Sequence, residues 1–203
     1  MIGAGKTTLA QMLSEKLNAR LVLERFDENP FLAKFYEDVD RYAFQTQIFF
    51  LLSRYKQQQE LFQADLFNSH IVSDYIFEKD KIFAYLTLKD EELKLYETVV
   101  TAIEKSIPQP DLVVYLQSST ERLMNNIRKR ARKMEEKMSE EYIRDLNEAY
   151  NYFFFRYKSS PLLIVKATDI DFVGNKDDFE ELIGQITKPN RAPVEYYSPA
   201  SRK

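Results

Sequence analysis

The sequence predicts an α/β fold in which a parallel sheet is covered by helices on both faces. Short apolar runs rich in β-branched residues alternate with longer helical patterns along the 203 residues, and this alternation is typical of parallel α/β proteins. Gly is scarce, at 4 residues, so we expect a helix-rich chain. The length suits one domain with a sizeable core.

Four segments are predicted as strands because they are apolar at nearly every position, as strands covered on both faces are. They are Arg20–Glu24, His70–Asp74, Asp111–Leu116 and Leu162–Lys166. The breaker Pro108-Gln109-Pro110 stands just before the third strand.

The helices are predicted from capping residues and apolar patterns. Asn29 before Pro30 indicates an N-cap with Pro at the first helical position. Three further starts place a capping side chain and acidic residues where the helix dipole favours them. These are Asp90-Glu91-Glu92, Ser119-Thr120-Glu121 and Ser139-Glu140-Glu141. A long helix from Arg41 to about Gln63 is apolar almost all round at Ile48–Leu52, so we expect it to be buried.

One domain is predicted at residues 1–188, followed by an irregular tail at 189–203. The tail carries Pro189, Pro193 and Pro199. Proline has no backbone N–H to donate and fixes its own φ, so three of them in one short segment favour irregular structure.

Composition excludes several classes of function. A net charge of −3 gives no electrostatic reason to expect nucleic acid or an anionic membrane as a partner. The absence of Cys excludes thiolate catalysis and cysteine metal sites, and the single His70 excludes a histidine cluster. No apolar run approaches the roughly 18 residues that span a bilayer, and the first residues do not resemble a signal peptide. We therefore expect a cytoplasmic protein.

The segment Gly3-Ala4-Gly5-Lys6-Thr7-Thr8 matches the end of a Walker A motif, which predicts a P-loop kinase fold. Glycines allow backbone N–H groups to close around phosphate, and the helix that follows adds a favourable dipole. Lys6 is placed to reach the β- and γ-phosphates of ATP, and the Thr7 hydroxyl to hold Mg²⁺. The alternative is a Gly-rich start to an ordinary helix.

The full motif needs one more Gly before Met1, preceded by a strand. Neither is in the sequence, so we expect a coding sequence that begins upstream, or a fragment or variant with impaired stability and phosphate binding. Without that central strand, Arg20–Glu24 and Asp111–Leu116 are expected to flank a gap or an exposed edge.

Five further segments occur in a fixed order. They are ERFDENPFLAKFY at 24–36, FQTQIFFLLSRY at 44–55, SDYIFEKDKIFA at 73–84, RKRARKME at 128–135 and DDF at 177–179. Together they resemble the deoxynucleoside kinase family, particularly its bacterial deoxyguanosine/deoxyadenosine branch, from residue 2 to residue 186. The resemblance implies ATP-dependent phosphorylation of a purine deoxynucleoside at its 5′-hydroxyl, an Arg-rich LID, and a homodimer.

The resemblance assigns catalytic roles to residues at the ends of the predicted strands. Glu24 is implied as the general base that accepts the 5′-hydroxyl proton. Asp74 matches the acidic residue of the family's D/E-R-S motif and is implied to help place Mg²⁺. The sequence departs from that motif at the next two positions, where Tyr75 and Ile76 replace Arg and Ser.

The basic run at 128–133 resembles the LID, whose arginines stabilise the charge of the transferring phosphoryl group. Arg130 and Arg132 align with LID arginines, whereas an earlier LID arginine falls at Asn126. A solvated basic helix face or a nucleic-acid patch is the alternative interpretation of this run.

The substrate residues are implied in the same way. Gln47 aligns with a glutamine that forms two hydrogen bonds to the base, since its amide offers a donor and an acceptor. Arg54 and Asp80 resemble an ion pair at the far end of the base pocket. Tyr36 and Glu135 align with the pair that holds the sugar 3′-hydroxyl. Structural salt bridges and buried hydrogen bonds are the alternatives, and guanine and adenine both remain open.

Aromatic residues are expected around the base and the phosphate donor. Phe26, Phe50, Phe77 and Phe83 are candidates for stacking on the base, although most aromatics simply pack in cores. Asp178 and Phe179 resemble the loop that packs against the adenine of ATP. A helix-starting Asp and a core Phe account for them equally well.

Two other functions remain open at this point. A nucleoside monophosphate kinase similar to thymidylate kinase would need additional basic residues for the acceptor's phosphate, and Tyr75 in place of the motif's arginine argues against it. A non-catalytic nucleotide-binding subunit is the second alternative, which intact Glu24 and Asp74 weaken.

Overall fold

Five strands form two parallel sheets in the computed structural model, which describes residues 1–61 and 69–199. Strand β1 (Arg20–Val22) pairs with β2 (Ile71–Ser73), and β3 (Val113–Gln117) pairs with β4 (Leu162–Lys166), which pairs with β5 (Val194–Tyr197). The single sheet expected from the sequence is therefore divided in two. The four predicted strands are all present, and the bounds of Leu162–Lys166 agree at both ends.

Helices separate the strands along the chain, as the α/β prediction requires. They are α1 (Lys6–Lys16), α2 (Leu32–Glu37), α3 (Val39–Leu61), α4 (Lys79–Thr87), α5 (Asp90–Ile103), α6 (Thr120–Arg130), α7 (Glu140–Arg156) and α8 (Lys176–Thr187). No helix in the described ranges is long and apolar enough to cross a membrane.

The predicted helix starts hold where a side chain caps the first turn. Ser119 Oγ accepts from the backbone N–H of Arg122, at 3.3 Å, and Ser139 Oγ accepts from that of Tyr142, at 3.1 Å. The helix begins later than predicted, since α2 starts at Leu32, but Asn29 Oδ1 does accept from the backbone N–H of Phe31, at 2.9 Å. The Asn29 amide also donates to the carbonyl of Thr46, at 3.2 Å, and so ties this loop to α3.

The long helix α3 is less buried than the sequence predicts. Leu51 is fully buried, whereas Leu52 is 49% exposed. The apolar run at Ile48–Leu52 therefore faces both the core and solvent. The predicted end near Gln63 lies outside the described residues.

The tail predicted as irregular contains strand β5, which is a correction. The prolines of the tail stand outside the strand, so none of them interrupts its hydrogen bonds. Arg191 fixes the approach to β5, because its guanidinium donates to the carbonyl of Ile186, at 2.8 Å, and to the carboxylate of Glu195, at 2.9 Å.

The main core lies around β3 and β4, where Leu162, Leu163 and Val165 are fully buried. The sequence predicted a gap or an exposed edge between Arg20–Glu24 and Asp111–Leu116, and the two sheets share no strand pair in the described ranges. Val72 of β2 packs against the main core. Because β1 and β2 are parallel, their carboxyl ends lie at one edge, where open α/β sheets bind ligands.

Candidate active site

Residues 3–8, called the phosphate loop below, adopt the backbone conformation that their glycines permit. Gly3 and Gly5 have φ of 76° and 86°, in the left-handed region that favours glycine. A Cβ on Gly3 would lie 2.7 Å from the carbonyl oxygen of Leu123. Gly5 is the N-cap of α1 and has no side chain to satisfy the helix N–H groups, which leaves them suited to an anion.

Thr7 and Asp74 connect this loop to the edge of the first sheet. The Thr7 hydroxyl donates to Asp74 Oδ2, at 2.6 Å, and Asp74 Oδ1 accepts from the backbone N–H of Glu24, at 2.9 Å. One carboxylate therefore holds together the start of α1 and the residues that follow β1 and β2.

Lys6 lies on the loop with its ammonium turned back to it, donating to the Met1 carbonyl at 2.7 Å. Burial, with the nearby Lys79 as the next cause, lowers the pKa of Lys6 to about 8. An anion at the loop would raise the pKa of Lys6 again, because a nearby opposite charge favours the protonated amine.

Glu24 is held by two cations from different helices. Arg54 of α3 donates to Oε1 through Nε, at 2.8 Å, and also through Nη2, while Lys79 of α4 donates to Oε2 at 2.5 Å. Burial alone would raise the pKa of Glu24, but these two cations outweigh it and hold the pKa well below its usual range. The carboxylate is therefore ionised at neutral pH.

The ion pair predicted between Arg54 and Asp80 is present. Asp80 is completely buried, and its other oxygen accepts from the Tyr96 hydroxyl at 3.0 Å. The Arg54 guanidinium also lies 4.9 Å from the ring centroid of Phe50. Arg54 thus bridges Glu24 and Asp80, and Asp80 lies behind Arg54 rather than on the cavity wall.

A second carboxylate, Glu135, is also held by two cations. Arg130 donates to it through Nε, at 2.8 Å, and through Nη2, at 2.6 Å, and Arg132 Nη1 lies 3.6 Å away. The Arg132 guanidinium is 4.1 Å from the ring centroid of Phe26. Helix α6 ends at Arg130, and Ala131 follows with φ of 48°, so the predicted LID run is a helix end and a tight turn.

These residues surround one cavity. The predicted residues that line it are Lys6, Thr7, Glu24, Tyr36, Gln47, Arg54, Asp74, Arg130, Arg132 and Glu135. Of the four aromatic candidates, Phe26, Phe50 and Phe83 also line it, whereas Phe77 is buried in a separate cluster with Leu51. Most of the side chains that line this cavity were therefore predicted from sequence motifs alone.

Several polar groups of the cavity wall have no partner within the described part of the chain. Thr46 Oγ1 and the hydroxyls of Tyr142 and Tyr150 are buried there without a hydrogen bond. Gln47 is 2% exposed, and no hydrogen bond from its amide to a described residue is observed. A buried polar group without a partner costs about 1–3 kcal/mol, which favours a polar ligand in this space.

Other predicted residues lie outside the cavity wall. Gly3, Ala4, Gly5 and Thr8 belong to the loop and the first turn of α1. Asp178 accepts from the backbone N–H of Asp171, at 2.9 Å, and Phe179 packs against the main core. The aromatic ring that reaches the phosphate loop is that of Phe172, 3.1 Å from where a Gly5 Cβ would be.

Three residues that reach the site were not predicted from the sequence. Lys79 lies in the motif SDYIFEKDKIFA, and its position in the first turn after a strand end was the available signal. Asn126, known only as the position of a missing arginine, donates to the Gly3 carbonyl at 2.8 Å. Phe172 carried no signal, because its contact with Gly5 joins distant parts of the chain.

Comparison with known proteins agrees with this geometry. The deoxynucleoside kinase family model matches residues 1–189. The chain is 34% identical over 190 residues to a deoxyguanosine kinase of Bacillus subtilis (strain 168), covering 91% of this chain and 92% of that protein. It is 31% identical over 192 residues to a deoxyadenosine/deoxycytidine kinase of the same organism, covering 91% and 88%.

A solved structure is similar over the same length. The deoxyadenosine kinase from M. mycoides, with products dCMP and a flexible dCDP bound, gives a TM-score of 0.81 at 27% identity. The match covers 92% of this chain and 95% of that one. The similarity therefore includes the fold as well as the sequence.

Proposed function

Because the chain belongs to the deoxynucleoside kinase family, we propose that it transfers the γ-phosphate of ATP to the 5′-hydroxyl of a purine deoxynucleoside. The observation that carries this proposal is the position of Glu24. Its carboxylate lines one cavity together with Lys6 of the phosphate loop and Gln47 of α3. The two B. subtilis relatives are named for deoxyguanosine and for deoxyadenosine and deoxycytidine, which supports a purine.

The acceptor is proposed to occupy the side of the cavity formed by α2 and α3. Gln47 offers the base a donor and an acceptor, and Phe50 and Phe83 provide apolar walls. Tyr36 and Glu135 are proposed to hold the sugar 3′-hydroxyl. Arg54, backed by Asp80, closes the far end of the base pocket.

In the reaction, Glu24 orients the 5′-hydroxyl and receives its proton as the oxygen attacks phosphorus. Its low pKa makes it a weak base, so proton transfer late in the step is expected. Phosphoryl transfer depends mainly on positioning and charge stabilisation, which a weak but well-placed carboxylate can support. Arg130 and Arg132 are proposed to leave Glu135 and close over the phosphoryl group.

Mg²⁺ is proposed to bind between Thr7 and Asp74. A hydroxyl and a carboxylate oxygen 2.6 Å apart fit the oxygen ligands that Mg²⁺ prefers. No group of three or more His, Asp or Glu that could hold a metal occurs in the described residues, so phosphate oxygens and water must complete the ligand set. When bound, the ion neutralises charge on the triphosphate.

Three sequence predictions remain as parts of this proposal. The segment containing Asp178 and Phe179 is proposed to approach the adenine of ATP, with Phe172 as the ring nearest the loop. A homodimer and a cytoplasmic location also stay predictions. Sedimentation of the purified chain would test the first of these two.

The function is tested by offering the chain all four deoxynucleosides with ATP and Mg²⁺ and quantifying the monophosphates by chromatography. We expect deoxyguanosine to react fastest and deoxyadenosine second. Turnover of pyrimidines alone would overturn the assignment of the pocket. Deoxynucleoside monophosphates in parallel reactions would reveal a monophosphate kinase, and ATP binding without any turnover would favour a non-catalytic subunit.

A further inference from the structure

Lys79 is a buried cation whose place in the site no part of the proposed mechanism uses. It is the first residue of α4 and is only 7% exposed, with its ammonium on Glu24 Oε2. It lines the same cavity as Lys6, Asp74 and Arg130. Burying an ammonium group costs free energy unless it is paired. Packing alone therefore does not explain a lysine at this position.

The two cations on Glu24 differ in what else they hold. Arg54 pairs with both Glu24 and the buried Asp80. If Arg54 released Glu24, Asp80 would still hold the guanidinium in place. Lys79 has Glu24 as its one carboxylate partner among the described residues. Since an ammonium has three donors, Lys79 can accept a second anionic partner or exchange one for another.

The surroundings of Lys79 favour an additional anion. The ammonium groups of Lys79 and Lys6 belong to side chains that line the same cavity. Two buried ammonium groups repel each other unless negative charge lies between them. Tyr75, the position at which the sequence departs from the family motif, does not line the cavity and is buried at 5% exposure. Lys79 is therefore the cation that this segment supplies to the site.

We propose that Lys79 is a catalytic residue of the phosphoryl transfer. Without substrates its ammonium holds Glu24 Oε2, and with both substrates bound it donates to the transferring phosphoryl group and frees Oε2 for the 5′-hydroxyl. The 5′-oxygen then forms its bond to phosphorus, its proton passes to Glu24, and the bond to the ADP oxygen breaks with the electron pair on ADP. Lys79 stays protonated throughout. This inference rests on the proposed function.

The test compares Lys79→Met and Lys79→Arg in the full chain, with Lys81→Met as a matched control. Lys81 is two residues along the same helix, pairs with Glu104 at 2.6 Å and does not line the cavity. For Lys79→Met we expect kcat to fall by about 10²-fold, the loss typical of one transition-state donor, with KM for the acceptor little changed. Lys79→Arg should recover part of the loss, and Lys81→Met should match the unmodified chain.

A second measurement separates this inference from the proposed function. ATP binding to the chain without acceptor is measured by calorimetry. It should be weaker for Lys79→Met than for the unmodified chain and for Lys81→Met, because Lys79→Met removes a cation from the cavity that Lys6 and Arg130 also line.

The outcomes are distinct. If the unmodified chain phosphorylates no deoxynucleoside but Lys79→Met weakens ATP binding, the proposed function fails and Lys79 still belongs to the phosphate site. If Lys79→Met melts like the unmodified chain and changes neither kcat nor ATP affinity, Lys79 has no role there. If Lys79→Met raised the KM for the acceptor and left kcat unchanged, Lys79 would bind substrate without taking part in the chemical step.

Discussion

Two carboxylates of this cavity, Glu24 and Glu135, each face two cations, yet the two clusters are built differently. The cations on Glu24 come from separate helices and have side chains 3% and 9% exposed, whereas Arg130 and Arg132 are 32% and 35% exposed. The cations on Glu135 also lie within five residues of it in the chain. Water therefore reaches the cations of the second cluster more easily than those of the first, whereas the carboxylates are in the opposite order, with Glu135 6% and Glu24 18% exposed.

The difference assigns fixed and movable parts to the site. Arg54 cannot leave the first cluster without stranding the buried Asp80, so α3 gives Glu24 a fixed support. Lys79 of α4 has Glu24 as its one carboxylate partner among the described residues and is the cation of this cluster that can exchange it. Arg130 is the last residue of α6, and Arg132 follows it after the left-handed Ala131. Their own charges are part-exposed and can move, but the Glu135 carboxylate they would leave is only 6% exposed, so it needs another polar partner such as the 3′-hydroxyl proposed for it.

The largest expected effect is on the chemistry of the fixed cluster. Glu24→Gln should lower kcat by about 10²–10⁴-fold, the usual loss when a general base is removed, and leave ATP affinity nearly intact, because little volume changes. Steady-state kinetics with the preferred deoxynucleoside and calorimetry with ATP measure the two quantities. The control is Glu28→Gln, an exposed carboxylate next to the same loop. An unchanged kcat would move the role to another carboxylate.

The rigidity of the fixed cluster is tested through stability. Asp80→Ala leaves the buried Arg54 with one partner fewer, and breaking a buried pair typically costs about 3–5 kcal/mol in the free energy of unfolding. Glu37→Ala breaks the exposed pair with Lys137 and should cost no more than about 1 kcal/mol. Denaturant unfolding of both variants gives the comparison. Equal losses would mean that Asp80 does not anchor the cluster.

The mobility of the second cluster is tested through kinetics. Arg130→Ala should lower kcat by about 10²-fold with a smaller change in KM, because its charge is needed most in the transition state. Arg128→Ala, at an exposed position half a turn earlier, serves as the control and should change little. If Arg130→Ala raised KM and left kcat intact, Arg130 would only bind substrate. The residue that moves to stabilise the phosphoryl group would then not be Arg130.

The sequence predicted most members of both clusters and the pair Arg54–Asp80, but neither Lys79 nor the pairing of Arg54 with Glu24. Glu24, Arg54 and Asp80 were identified from motifs, and so were Arg130 and Glu135, because each motif is a local run of residues. That Arg54 joins Glu24 to Asp80 depends on how α3 and α4 cross the end of β1, which no local pattern records. Strand β5 was missed for a related reason: Pro193 and Pro199 flank the strand, and the pairing of β5 with β4 is a long-range contact.

The smallest expected effect concerns the pH dependence of the fixed cluster. Arg54 and Lys79 outweigh burial and hold the pKa of Glu24 below its ordinary value of 4.5. The unfolded chain therefore binds a proton at a higher pH than the folded chain does. The stability that Glu24 contributes is complete above about pH 4.5 and is lost as pH falls towards the folded pKa.

Glu24→Gln removes this titration. The difference in unfolding free energy between the unmodified chain and the variant should shrink by up to about 1.4 kcal/mol per pH unit below pH 4.5, measured by urea unfolding between pH 6 and pH 3. The exposed Glu28→Gln should show a much flatter difference. If the Glu24→Gln difference stayed constant with pH, the two cations would not hold Glu24 in solution, and the distinction between a fixed and a movable cluster would lose its physical basis.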